Sequence, residues 1–270
     1  VAKQIQTNSL DDRVLREILL EPIRRCMGYK PAFGQGSQDG FTLTQFQRLY
    51  GADPFYAWIG LDNGAVYAAH KAAGGLTSVY RQLGVGCERL VRFIFASCFT
   101  LNQEQMTWQY EYSKQNKSTG IHSLDVKVAL TDLSGKSKDR LNSWLEEFRK
   151  SSSVKRPKLV GSVFEVRQGY KSADSKRQNA DLRFGMHAYQ ESLLPVFLLM
   201  SAQISEPVAN RYRADGMLVL IGSDENNPMI STFAFFREVV GFDLAEFFKR
   251  NSQELKREVD SIVKSLLTEV

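Results

Sequence analysis

The chain has little of what disulfide or zinc chemistry needs. Its three cysteines (Cys26, Cys87, Cys98) and three histidines (His70, His122, His187) are scattered through 270 residues, and no CxxC pair occurs. An odd set of separated thiols gives no disulfide framework, the histidines have no zinc-ligand spacing, and a reducing compartment is expected. No uninterrupted apolar run reaches membrane length. Asp11, Asp12, Arg13 and Arg16 break up the early apolar residues that a secretory leader would use, so an intracellular, non-membrane protein is expected. No internal repeat or low-complexity tract stands out. Gly74-Gly75 lacks the lysine and hydroxyl of a phosphate loop, which leaves little for a nucleotide site.

What is present suits a globular chain with a sizeable core, at 43% hydrophobic and 24% charged residues. One domain, or one plus a small lobe, is expected, with residues 1–86 a helical region packed on a core of 87–270 that ends in a helix. Lys and Arg exceed Asp and Glu by enough to leave a net charge of +5. That excess favours polyanionic partners without identifying one.

Apolar spacing predicts a packing helix over 11–27, a Gly/Gln/Ser loop over 28–40, and a short helix capped by Thr42 or Thr44. Small residues between Asp53 and Gly86 suit close helix packing, and a strong apolar helix is predicted over Cys87–Phe99, with Glu88 and Arg89 at its start. The period then changes to two. Met106, Trp108, Tyr110 and Tyr112 predict one strand and Ile121–Leu130 a second, joined as an antiparallel hairpin. A helix over 134–150 follows, then strands over 193–202 and 217–221 with a short helix at 207–213 between them, and a long amphipathic helix over 242–267.

The stretch from Lys158 to Tyr189 organises the rest. Val163, Phe164 and Val166 surround the acid Glu165 in what reads as a central strand. Gly169 breaks it, and Ser172, Asp174 and Ser175 offer caps for a helix carrying Lys171, Lys176, Arg177 and Arg183. A carboxylate at a strand end beside a basic helix suits a divalent ion held against a phosphodiester, the acid meeting the ion and the basic groups the backbone charge.

The order helix, three strands, helix, strand, helix, with one helix inserted before the third strand, puts Asp125 on the second strand and Glu165 on the third. That order resembles the PD-(D/E)xK nuclease core. The block Glu165-Val-Arg-Gln-Gly-Tyr-Lys-Ser-Ala-Asp-Ser-Lys-Arg-Gln-Asn-Ala-Asp181, with Tyr67-Ala-Ala-His-Lys-Ala-Ala-Gly-Gly, is similar to the ApaLI-like type II restriction endonucleases over most of the chain from Asp53 onward. The resemblance implies an α/β fold, a mixed central sheet flanked by helices in a restriction-endonuclease-like core with N- and C-terminal helical additions. It also implies Mg²⁺-dependent, sequence-specific cleavage of double-stranded DNA by a homodimer in the cytoplasm of a prokaryotic cell. A repair or recombination nuclease of the same fold, or a DNA-binding protein without hydrolysis, stays open.

On the family pattern Asp125 and Glu165 are the metal-binding acids, and Glu88 is a third candidate from the preceding helix. Arg167 stands where the pattern has its lysine; it can balance phosphate charge but hardly serves as a base. Lys171 is a substitute ammonium, and Gln168 a residue that could orient water. Asp125-Val-Lys127 has the D-x-K form too, so Lys127 is either that ammonium or a sheet-surface partner of Asp125. Lys176 and Arg177 are candidates for phosphate contact, Gln178 and Asn179 for reading adenine edges, and each has the alternative of a solvated helix face. His122 and His187 read as structural, and Trp108, Tyr110 and Tyr112 as core rather than a base-stacking platform.

Overall fold

A computed structural model describes residues 10–34, 39–113, 119–151, 158–169 and 175–267, excluding the side chains of Ser113, Ser175, Lys176 and Arg177. The fold is α/β, and the chain divides into two compact units, one of residues 12–86 with 250–270 and the other of 87–249. Spacing alone leaves 250–270 with the core; the structure groups it with the N-terminal helices.

In the first of these units, α1 (Asp12–Arg24) turns Leu15, Leu19, Leu20 and Ile23 inward. Helix α2 (Leu43–Gly51) starts at a capping box in which Gln45 N–H donates to Thr42 Oγ1 and Thr42 N–H to Gln45 Oε1. Helix α3 (Pro54–Trp58) is capped by Asp53 and has proline in its first turn. Helix α4 (Gly64–Phe99) is the main departure from the expected elements, since one continuous helix replaces the short one predicted to begin at Cys87. Its glycines weaken the local helical signal, and at two of them the packing is close. A Cβ at Gly86 would stand 2.3 Å from the Leu19 carbonyl oxygen, and one at Gly75 would stand 2.7 Å from Leu266 Cδ2.

The second unit holds the sheets. Strands β1 (Trp108–Ser113) and β2 (Thr119–Leu124) form an antiparallel pair in register Trp108↔Leu124. The strand predicted over Ile121–Leu130 does not run through, because the chain bends at Asp125 and resumes as β3 (Val126–Ala129) in a different sheet. Helix α5 (Gly135–Ser151) buries Leu141, Trp144 and Leu145. Strand β4 (Gly161–Arg167), helix α6 (Ser175–Gln190) and strand β5 (Leu193–Leu199) follow, then α7 (Glu206–Ala214) and β6 (Leu218–Leu220). The strand predicted over 193–202 ends at Leu199. A short helix, α8 (Thr232–Phe235), leads through a π-turn into α9 (Leu244–Leu267).

The larger sheet has the order β3-β4-β5-β6, with β3 antiparallel to β4 and the other pairs parallel. Because side chains alternate across a strand, its two faces bury different sets. Val163, Phe197, Leu199 and Val219 join Trp108, Tyr110, Phe184 and Tyr212 on one side. Phe164 packs edge-on against Phe95 of α4, with centroids 5.1 Å apart, and against Phe235 of α8 at 5.6 Å. Full burial of each such ring stabilises the unit by roughly 1.5–3 kcal/mol. Among the described residues no helix is long and apolar enough to cross a membrane.

Candidate active site

The β3/β4 ladder runs from Ala129↔Gly161 to Val126↔Phe164. One step beyond its last pair the chain bends at Asp125, whose carboxyl reaches β4 next to Glu165. Two contacts hold that bend, and a third anchors the arginine that makes one of them. Asp125 Oδ2 accepts the Val166 N–H at 2.6 Å, and the Asp125 carbonyl accepts from Arg92 Nη1 of α4. Arg92 Nη2 reaches the Gln103 carbonyl at 3.5 Å. The alternation of apolar residues across Asp125 therefore hides a turn held by a side chain from a distant helix.

Asp125 feels its surroundings strongly. Burial, then the Glu165 and Glu88 carboxylates, push its carboxyl up to about 8, against the Val166 N–H and Arg167, which pull it down. Glu88 is raised too, first by burial and then by Glu165, with Arg92 and Arg89 opposing. The structure thus brings all three predicted acids into one electrostatic neighbourhood. Glu88 is not at a helix start, as its spacing suggested, but in the interior of α4, so a helix dipole does not account for it.

Arg167 is turned inward, with only 7% of its surface exposed. Its Nη1 and Nη2 grip Asp181 of α6 at 3.1 and 2.7 Å, while Nε and Nη2 donate to Glu165 Oε1 at 3.3 and 3.1 Å. The guanidinium expected to balance phosphate charge is therefore spent on two protein carboxylates. Asp181 and Tyr212, whose hydroxyl donates to Asp181 Oδ2 at 2.6 Å, are the members that spacing did not single out. Asp181 closes the quoted block, but nothing local ties it to Arg167; Tyr212 has no signal in the sequence.

Tyr110 borders the same acids. Burial pushes its phenol up to about 12, with Glu165 and Asp181 adding to the rise and Arg183 opposing it, so it remains a neutral hydroxyl. Its ring stacks on His187 with centroids 4.2 Å apart. The expected structural reading of His187 and the core reading of Tyr110 agree with that packing.

Of the basic residues, Lys171 lies outside the described residues, as do the side chains of Lys176 and Arg177 in the first turn of α6. Gln178 is buried, and its Oε1 accepts from Arg211 Nη1 of α7 at 2.9 Å. Asn179 is exposed, and its Oδ1 accepts from Arg211 Nη2 at 3.2 Å. The two amides expected to read base edges are thus both held by one arginine of the chain itself. Lys127 pairs across the ladder with Val163, is partly buried, and makes no ion pair with Asp125 among the described residues.

Among the described residues no three His, Cys, Asp or Glu side chains close into a ready-made metal cage. The donor set nevertheless fits Mg²⁺, which prefers one or two carboxylates and keeps several waters. Asp125 Oδ1 and Glu165 Oε2 have no hydrogen-bond partner among the described residues, and like-charged, partly buried acids favour a cation between them. No protein-family model, no curated protein and no solved structure matches this chain.

Proposed function

We propose that the protein is a Mg²⁺-dependent endonuclease that hydrolyses phosphodiester bonds of double-stranded DNA, of the type II restriction kind, on a restriction-endonuclease-like core. The single observation that carries this reading is that Asp125 and Glu165 come together just beyond the β3/β4 ladder, each with one carboxylate oxygen that has no hydrogen-bond partner among the described residues. The block from Glu165 to Asp181 and the basic balance of the chain support it.

Asp125 and Glu165 would hold Mg²⁺, with Glu88 close enough to strengthen the local negative field. When bound, the ion would supply Lewis-acid stabilisation of the phosphoryl charge and a more acidic water. The chain's own part is to aim the two carboxylates. The Val166 N–H fixes the Asp125 carboxyl, Arg167 fixes that of Glu165, and Arg92 fixes the bend at Asp125. With Arg167 committed inward, Lys127 and Lys171 are the candidates for charge balance at the phosphate. Lys176 and Arg177 would meet DNA from α6, and Gln178 and Asn179 would do so only by giving up Arg211. A palindromic site would require a homodimer, each subunit addressing one strand, working in a prokaryotic cytoplasm.

Incubation with supercoiled plasmid and Mg²⁺, beside a Glu165→Ala variant, tests the proposal. Discrete linear bands from the unaltered chain alone are expected. Equal cutting by both proteins removes Glu165 from the site, and ragged cutting confined to branched DNA points to a repair nuclease. The inward Arg167 favours one second reading, a DNA-binding protein without hydrolysis. Under that reading, duplex is retained but left intact in Mg²⁺.

A further inference from the structure

We infer that Asp181 is a positioning residue for the acid pair: it offsets the charge of Arg167, so that Glu165 keeps negative charge for a divalent cation, and Tyr212 holds Asp181 in place. This rests on reading Asp125 and Glu165 as cation ligands.

A guanidinium two residues from a metal-binding acid is a liability, because it competes with the ion for the same oxygen. Here it is restrained on every side. Arg167 gives both terminal nitrogens to Asp181, at 3.1 and 2.7 Å, in the bidentate geometry that fixes a guanidinium plane. It gives Nε and Nη2 to Glu165, but both to the same oxygen, Oε1, and Oε2 has no hydrogen-bond partner among the described residues. Beneath it lies the Phe197 ring, 5.0 Å from the guanidinium carbon. Phe197 stacks on Tyr212 with centroids 4.5 Å apart, and the Tyr212 hydroxyl closes on Asp181 Oδ2 at 2.6 Å.

Among the described contacts, one guanidinium lies between two carboxylates, which leaves net negative charge on these three groups. Without Asp181, Arg167 and Glu165 would form a neutral pair and the attraction for a cation would fall. Arg167 thus holds Glu165 in place without cancelling it, and the residue that makes this possible is on another element, α6.

The test is calorimetric titration of Mn²⁺ into the full chain without DNA, at fixed pH and salt, for the unaltered protein, Asp181→Asn, and Arg167→Met with Asp181→Asn. Asp181→Asn should weaken Mn²⁺ binding by about tenfold or more, because one nearby charge is lost. The double variant should return to within about threefold of the unaltered chain, since removal of both charges restores the balance. Equal affinity in Asp181→Asn and the unaltered chain, with both folded by circular dichroism, overturns the inference and leaves a core ion pair. Should Asp181→Asn not fold, the double variant still decides, because neutral groups replacing a buried ion pair are tolerated. A gain of about tenfold there would mean that Arg167 opposes the cation unchecked, and the inference fails. No Mn²⁺ uptake by the unaltered chain overturns the acid-pair reading together with the inference, an outcome distinct from the others.

Discussion

Asp125 Oδ2 accepts the main-chain N–H of Val166 at 2.6 Å, so the acid next to Glu165 is also the brace that ties its own turn to β4. Structure and proposed chemistry can be separated there because an amide and a methyl group differ in what they preserve. Asp125→Asn keeps an acceptor for Val166 and should melt near the unaltered protein, yet lose plasmid cleavage by about 100-fold or more, since several kcal/mol of charge stabilisation goes with the ion. Asp125→Ala leaves the Val166 N–H without that acceptor and should cost about 1–3 kcal/mol in urea denaturation as well. Cleavage by Asp125→Asn at the unaltered rate removes the residue from the chemistry.

The same carboxyl gives a pH dependence. Its folded-state value, about 8, lies above the ordinary 3.8, so the folded chain holds a proton that the unfolded chain has released. The associated stability is fully present below about pH 4 and is lost as pH rises through about 8. Urea midpoints in EDTA, taken between pH 5 and 9 as about the useful range, should fall with rising pH, and Asp125→Asn should flatten the fall. Mg²⁺ needs the carboxylate, so it should restore stability at the alkaline end and release protons on binding below about pH 8. A midpoint that rises with pH in EDTA, in a protein otherwise intact, contradicts the raised value.

Much of the fold is legible because it follows from period. The alternation of Trp108, Tyr110 and Tyr112, the apolar run around Glu165 and the amphipathic tail all form the expected elements. The departures come from contacts distant in sequence. The small residues between Asp53 and Gly86 read as suited to close helix packing, without showing that one helix runs through them; at Gly86 the Leu19 carbonyl leaves no room for a Cβ, and Gly75 lies against Leu266. The turn at Asp125 is made by Arg92 and Val166, so Val126 and Val128 continue the alternation of β2 while belonging to another sheet. Asp125, Glu165 and Glu88 were visible as acids. The inward pairing of Arg167 with Asp181 was not, because a basic residue in a strand shows nothing of which helix will cover it.

Ser162 offers a prediction free of function. Its hydroxyl is fully buried in β4, with no hydrogen-bond partner among the described residues. Burying an unpaired hydroxyl costs about 1–3 kcal/mol. Ser162→Ala should therefore be neutral or stabilising by about 1 kcal/mol in urea denaturation, with plasmid cleavage unchanged. A clear destabilisation would mean that the hydroxyl has a partner.

Gly161 joins stability to the site. It pairs with Ala129 where β3 meets β4, at the opposite end of the ladder from Asp125 and Glu165. A Cβ there would stand 2.4 Å from the Val128 carbonyl oxygen and 2.8 Å from Ala129 Cα, both main-chain atoms that cannot swing aside. Gly161→Ala must push β3 away from β4 and should destabilise by about 1–3 kcal/mol. Because the ladder carries Asp125 to its place next to Glu165, the folded variant should also bind Mn²⁺ more weakly, whereas a loosening confined to the far end would leave that affinity alone. Calorimetry below the melting range distinguishes the two: loss of stability with unchanged Mn²⁺ affinity would show that Arg92 and Val166 alone suffice to set the acid pair.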